Sequence, residues 1–120
     1  MEPDVLKMAG NILSEMLNDM DPYEKISVIL KMVPIESFDE VFRFFSEEDQ
    51  KSLLEALELE THVSSIETTM LLNEFIKRNE LEALLNVSSL KPDEIKVAFQ
   101  KYAGKNPRKV SMMLRETWLI

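Results

Sequence analysis

Cysteine is absent from the 120-residue sequence, and histidine occurs once, as His62. The lack of thiols excludes disulfides, zinc–thiolate sites, iron–sulfur clusters and cysteine nucleophiles, and one histidine excludes a polyhistidine metal site. Glycine is scarce as well, and the two that occur, Gly10 and Gly104, lie too far apart to form a phosphate-binding loop. We therefore expect no enzyme, no metal site and no cofactor.

Long apolar runs are also missing, so we expect no transmembrane helix. Glu2 and Asp4 precede the first apolar stretch, which is unlike a signal peptide and favours a cytoplasmic protein. Hydrophobic residues make up 45% of the chain and charged residues 30%, a balance typical of a globular domain.

The net charge of −8 is unevenly distributed along the chain. Residues 1–86 carry 7 Lys/Arg and 19 Asp/Glu, a net −12, whereas residues 87–120 carry 7 Lys/Arg and 3 Asp/Glu, a net +4. The basic segment is interpreted as a solvated face or as packing near the acidic body. Because the acidic body would repel phosphates, we expect no binding to nucleic acid.

Apolar residues recur at helical spacing almost everywhere, which predicts an all-α protein of seven or eight short helices. The first stripe lies within residues 6–20, and the last contains Val110, Met113, Leu114 and Trp118. Residues 61–65, which hold His62, are polar and predict a loop or a cap.

Helix boundaries are marked by capping residues and prolines. Asp21-Pro22 and Ser46 are typical helix starts, and Pro34 both ends one helix and opens the next. Gly104 is predicted to stop the penultimate helix, and Asn106-Pro107 to cap the last one.

The middle of the chain repeats every twelve residues. Pro22, Pro34 and Ser46 align at this offset. Three apolar columns share the same offset: Ile29, Val41 and Leu53; Leu30, Phe42 and Leu54; Val33, Phe45 and Leu57. Each unit is one short helix with a tight turn. Neighbouring helices that stack on each other can bury the apolar stripe that a single helix would leave exposed. We expect the members Ile29, Val41, Leu53, Leu30, Leu54 and Leu57 to be core.

Aromatic and methionine side chains supply the candidate partner-binding residues. Four phenylalanines within eight residues cannot share one helix face, so at least one should be exposed as an anchor for a partner helix. Phe44 lies off the repeat columns, and we expect Phe38 or Phe44 to contact the partner. Met112 and Met113 are adjacent and cannot both point inward. The candidate residues are Phe38, Phe42, Phe44, Phe45, Met112, Met113 and Trp118.

Residues 20–76 resemble the N-terminal domain of the flagellar motor switch protein FliG. The resemblance depends on DPYEKISVIL over 21–30, an acid-containing helix over 36–42, SEE over 46–48 and LNEF over 72–75. It implies a hydrophobic groove that binds partner helices, self-association, and docking on the cytoplasmic tail of the membrane ring protein.

The last helix carries two further resemblances. Residues 106–114, NPRKVSMML, resemble the segment that opens the FliG middle domain, although Lys105-Asn106-Pro107-Arg108 replaces its Glu-His-Pro-Gln motif. The same stretch resembles the cytoplasmic tail of the membrane ring protein FliF, with one extra residue before Trp118-Leu119. The twelve-residue repeat is also similar to the cytosolic domain of MgtE-type magnesium transporters, whose acidic helices sense magnesium.

The sequence thus predicts an armadillo-like, right-handed array of stacked short helices. Residues 1–86 form an acidic helical-repeat domain, and residues 87–120 form a basic helical pair packed on it or on a neighbour. The resemblance implies a non-enzymatic interaction module of a flagellar rotor, at the cytoplasmic face of the inner membrane. The alternatives are an acidic magnesium sensor and an unrelated helical adaptor, and a hinge at Val87-Ser88-Ser89 would allow a C-terminal helix swap.

Overall fold

The computed structural model describes residues 20–59 and 64–120. These residues contain seven α-helices, one turn of 3₁₀ helix and no strand, which confirms the all-α fold class. The helix predicted within residues 6–20, apart from its last residue, and the loop residue His62 lie outside the described residues.

The helices are α1 (Pro22–Leu30), α2 (Ile35–Arg43), α3 (Glu47–Glu58), α4 (Ser65–Arg78), α5 (Glu82–Leu85), α6 (Pro92–Lys105) and α7 (Pro107–Trp118). The 3₁₀ turn, Val87–Ser89, joins α5 to α6 at the break that the sequence predicts there.

The predicted helix starts are confirmed by side-chain caps. The Asp21 carboxylate accepts a hydrogen bond from the Tyr23 N–H at 2.8 Å, and the Ser46 hydroxyl accepts one from the Asp49 N–H at 3.1 Å. Ser64 caps α4 in the same way, accepting from the Glu67 N–H at 3.2 Å. Each cap satisfies one of the backbone donors left without a partner in a first turn.

Near the junction of α6 and α7, the predicted start of α7 at Asn106-Pro107 is confirmed, because Asn106 is the N-cap residue and Pro107 the first helical residue. The predicted stop of α6 at Gly104 is wrong. Gly104 does not stop α6, because the helix continues through Lys105 and Gly104 has no positive φ. The stop comes at Asn106, the residue before Pro107, where helical backbone angles are disfavoured. Asn106 occupies the N-cap position of α7 without a hydrogen bond from its side chain to that helix. Its Nδ2 donates to the Tyr102 carbonyl oxygen at 3.1 Å and so completes the end of α6.

The core is built around α1, in which the five consecutive residues from Ile26 to Leu30 are all buried. This helix packs on α3, α4 and α7, so almost its whole circumference is covered. The repeat column Ile29, Val41 and Leu53 is fully buried, as the sequence predicts. The periodic column is therefore the line along which three successive helices meet the common core.

The core prediction is wrong for Leu54, whose side chain is 48% exposed. Helix α3 faces the core through Leu53 and Ala56, and successive helical residues differ by about 100° in direction. Leu54 therefore points away from the line of contact with α1, although it aligns in sequence with the buried Leu30.

The basic C-terminal helices share this core. Phe99 and Ala103 from α6, and Val110 and Leu114 from α7, are fully buried in the same cluster as the α1 side chains. The Phe99 ring also makes an edge-to-face contact with Phe75 of α4, with centroids 5.7 Å apart. Residues 87–120 thus fold back on the acidic part of the same chain.

The helix pairings do not follow the chain order of a simple stack. Helix α1 packs most extensively on α3, while α2 packs most extensively on α7. The armadillo-like, right-handed order is not confirmed by these pairings and stays a prediction. None of the described helices combines the length and the apolar character needed to cross a bilayer.

Candidate interaction surface

The two segments that the sequence singles out as partner anchors lie side by side in the structure. Helix α2 carries the phenylalanines, helix α7 carries the methionines and Trp118, and these two helices pack against each other. Most of the predicted site residues therefore belong to one region of the surface and of the core directly beneath it.

The four phenylalanines divide into core and surface residues. Phe45 is 3% exposed and lies in the core, so this candidate is not accessible to a partner. Phe38 and Phe42 are partly buried against the core, and their rings stack with centroids 5.8 Å apart and planes inclined by 13°. Phe44 is 40% exposed, which agrees with the prediction that at least one of the four cannot be core.

Phe44 is held from one side by an arginine of α7. The guanidinium carbon of Arg108 lies 5.2 Å from the centre of the Phe44 ring, a cation–π contact that joins the end of α2 to the start of α7. Arg108 is itself exposed and makes no ion pair with a described residue. The contact fixes the aromatic ring without burying it.

The methionine pair behaves as predicted. Met112 is 51% exposed, and Met113 is partly buried against the core. Met112 follows Arg108 by four residues, so both side chains lie on one face of α7. We call the surface formed by Phe44, Arg108 and Met112 the α2–α7 edge.

Trp118 lies at the other end of α7 and supports the core. It is partly buried, and its ring stacks on Phe75 with centroids 6.0 Å apart. Its indole Nε1 is buried without a hydrogen-bond partner in the structure. Nearby, Thr117 accepts hydrogen bonds from the Asn79 and Arg78 side chains at 2.9 and 2.8 Å, which fasten α7 to the end of α4.

The basic segment is attached to the body by apolar contacts and by the hydrogen bonds of Thr117. In the described part of the chain, Arg78 and Glu74 form the one ion pair, at 3.7 Å within α4. Five of the six lysines and arginines of α6 and α7 are exposed and Lys96 is partly buried, which agrees with the interpretation of the basic segment as a solvated face.

Sequence reasoning missed the arginines of α7. Arg108 and Arg115 lie four residues before and three residues after Met112, and all three are exposed. Their i, i+4, i+7 spacing in the sequence indicates a common helix face, but the functional surface predicted from the sequence is the apolar stripe of the same helix. Only the packing of α7 on α2 shows that this spacing borders an exposed aromatic ring.

The described residues contain no group of three or more acidic or histidine side chains close enough to hold a metal ion. The pattern of the surface is instead an exposed aromatic ring, an exposed methionine and cations on one helical edge. Such a surface can bind an amphipathic segment, with apolar side chains at its centre and charges beside them.

The fold and this surface together define a small all-α protein with an accessible helix–helix edge. No protein-family model, no curated protein and no solved structure matches the chain.

Proposed function

We propose that the protein is a non-enzymatic interaction module that docks a helical segment of another protein on the α2–α7 edge. The observation that carries the proposal is the exposed Phe44 ring, held by Arg108 and lying beside a helix that exposes Met112. Aromatic residues are common binding hot spots, and methionine adapts its shape to a partner helix.

The resemblance of residues 20–76 to the FliG N-terminal domain supports a particular partner. It points to the cytoplasmic tail of the membrane ring protein FliF, and so to a place in a flagellar rotor at the cytoplasmic face of the inner membrane. No observation among the described residues favours the magnesium-sensing alternative, because they provide no cluster of ligands for the ion.

Helix α7 limits the surface on which such a tail can bind. Its own sequence resembles that tail, and it packs in cis on α1, α2 and α4 with Val110 and Leu114 fully buried. The surface beneath α7 is therefore already covered by the chain itself. A second helix would meet the outer side of the α2–α7 pair, where Phe44 and Met112 remain accessible.

The test is a calorimetric titration of the purified protein with a peptide of the FliF cytoplasmic tail from the same organism. We expect Phe44→Glu to weaken binding by at least about tenfold, since it places a charge at the centre of an apolar contact. Leu84→Glu is the matched control. Leu84 is 65% exposed and lies on α5, a helix that does not form this edge, so its substitution should leave binding unchanged.

Circular dichroism of both variants separates binding from folding. Unchanged helical content and melting of Phe44→Glu, together with weak binding, support the proposed site. Equal binding by the wild type and Phe44→Glu would refute the proposed site, and no binding of the tail by the wild type would refute this partner.

A further inference from the structure

Helix α7 presents a basic stripe along the same edge. Arg108, Met112 and Arg115 have i, i+4 and i+7 spacing, so their side chains lie on one face over about two turns. All three are exposed, and the Phe44 ring packs under the first arginine. The stripe is thus cationic at both ends and apolar in the middle.

The two arginines have no carboxylate partner. No acidic oxygen of the described residues lies within ion-pair distance of either guanidinium, although the whole chain carries 22 acidic residues. Two exposed carboxylates border the edge, since Glu116 lies four residues after Met112 and Glu40 lies four residues before Phe44. Neither is within ion-pair distance of Arg108 or Arg115. Both guanidinium groups therefore keep their hydrogen-bond donors available.

Arg108 is also positioned in advance. Its guanidinium lies over the Phe44 ring, which restricts the side chain before any partner binds. An arginine in this arrangement can still bind a carboxylate through its N–H groups, and it loses less conformational freedom on binding than a free side chain would.

We propose that the segment docked on the α2–α7 edge is an acidic amphipathic helix. Its carboxylates pair with Arg108 and Arg115, which are about 10.5 Å apart along the axis of α7, and its apolar side chains cover Phe44 and Met112. This inference rests on the proposed docking function and adds the charge of the partner. The apolar face of an amphipathic helix can cover the exposed Phe44 and Met112 side chains, whereas a nucleic acid backbone has no apolar surface to pack on them.

The probes are three synthetic helical peptides with one common leucine stripe. They differ only in the residues that flank the stripe, which are glutamate in the first, glutamine in the second and lysine in the third. Fluorescence anisotropy of labelled peptides gives the dissociation constants. At about 50 mM NaCl we expect the glutamate peptide to bind about tenfold more tightly than the glutamine peptide, and at about 0.5 M the ratio should fall below about twofold.

The variants assign this preference to the stripe. Arg108→Glu combined with Arg115→Glu should abolish or invert the preference for the glutamate peptide. Lys91→Glu combined with Lys101→Glu changes the net charge by the same amount at exposed positions outside the stripe, and should preserve the preference. This control separates a local contact from the overall field of the protein.

Three results overturn the proposal. Equal binding of the glutamate and glutamine peptides, or no binding of any peptide, removes the acidic partner, while the titration with the FliF tail decides the docking function separately. The third result comes from sedimentation of the protein without peptide. If the protein associates with itself and Arg108→Glu disrupts that association, the occupant of the edge is a second copy of the chain.

Discussion

At the residue scale, Tyr23 links α1 to α3 through its hydroxyl group, which donates a hydrogen bond to the Asp49 carboxylate at 2.9 Å. This hydrogen bond, together with partial burial, raises the pKa of Tyr23 above its ordinary value of 10.0. Burial alone raises the pKa of Tyr102 in the same direction. Because a raised pKa means that the folded state holds the proton more tightly than the unfolded state, the free energy of unfolding decreases as the pH rises above 10. For Tyr23 the rise in pH removes a stabilising hydrogen bond, and for Tyr102 it adds the cost of burying a charge.

We expect Tyr23→Phe to lower the free energy of unfolding at neutral pH by about 0.5–1.5 kcal/mol, the usual net value of one hydrogen bond. In urea unfolding experiments, the free energy of unfolding of the variant should decrease less steeply with pH above 10 than that of the wild type. The decrease that remains is due to Tyr102. An unchanged slope in the variant would show that Tyr23 does not titrate differently in the folded and unfolded states.

The exposed phenylalanine could be predicted from the sequence as Phe38 or Phe44. Phe44 lies off the repeat columns that contain Phe42 and Phe45, but its exposure depends on where α2 ends. The helix ends at Arg43, and the Phe45 N–H then bonds to the Phe42 carbonyl at 3.2 Å in a tight turn. This turn directs Phe45 inward and leaves Phe44 outside.

At the scale of the helix, Gly104 occupies a position that does not require glycine. It lies in the last turn of α6 with no positive φ, and an added Cβ would lie 3.7 Å from Pro34 Cγ and 3.8 Å from Ser37 Oγ, ordinary contact distances. Gly104→Ala should therefore raise the free energy of unfolding by about 0.5–1 kcal/mol, the difference in helix propensity.

Chemical denaturation measures the change, and Gln100→Ala in the same helix is the control, with an expected effect below about 0.5 kcal/mol because the residue is exposed. If Gly104→Ala destabilised the protein, α2 and α6 would have to lie closer together than the structure places them.

Helix α7 belongs to the core on one side and to the surface on the other. Leu114 is fully buried, so Leu114→Ala should cost about 2–5 kcal/mol, the usual loss for a buried leucine. Met112 is 51% exposed, and Met112→Ala should cost less than about 0.5 kcal/mol. Thermal and urea unfolding of the two variants check the difference. Equal effects would mean that α7 is not seated as described.

Helix starts could be predicted from the sequence because a cap acts within four residues, and Asp21 and Ser46 cap the helices they precede. The end of α6 is harder to predict, because Gly104 and Asn106-Pro107 both give a stop signal within four residues. The proline signal dominates, since its ring restricts the backbone of the preceding residue, whereas glycine merely permits a turn.

At the scale of the whole molecule, the decisive contacts join residues far apart in the chain. Arg108 reaches Phe44 across 64 positions, and α2 packs on α7 although α3 follows it directly. Apolar periodicity could predict which faces are buried, as for Ile29, Val41 and Leu53, but it does not state which helix covers which face. The edge therefore became visible only in the folded arrangement.

The basic segment is part of the same folded unit as the acidic body. Residues 87–120 differ in charge from the rest, yet Phe99 and Leu114 are fully buried in the common core. The position of the segment is therefore determined by apolar burial and not by its charge.

The proposed binding of a partner helix to the α2–α7 edge can be tested at the level of single residues. The most direct test is nuclear magnetic resonance mapping of the isotope-labelled protein during titration with the FliF tail peptide. We predict that the largest amide shifts fall at Phe44, Arg108 and Met112, with little change at Leu84 on α5. Shifts centred on α5 and α6, with an unperturbed α2–α7 edge, would contradict the account.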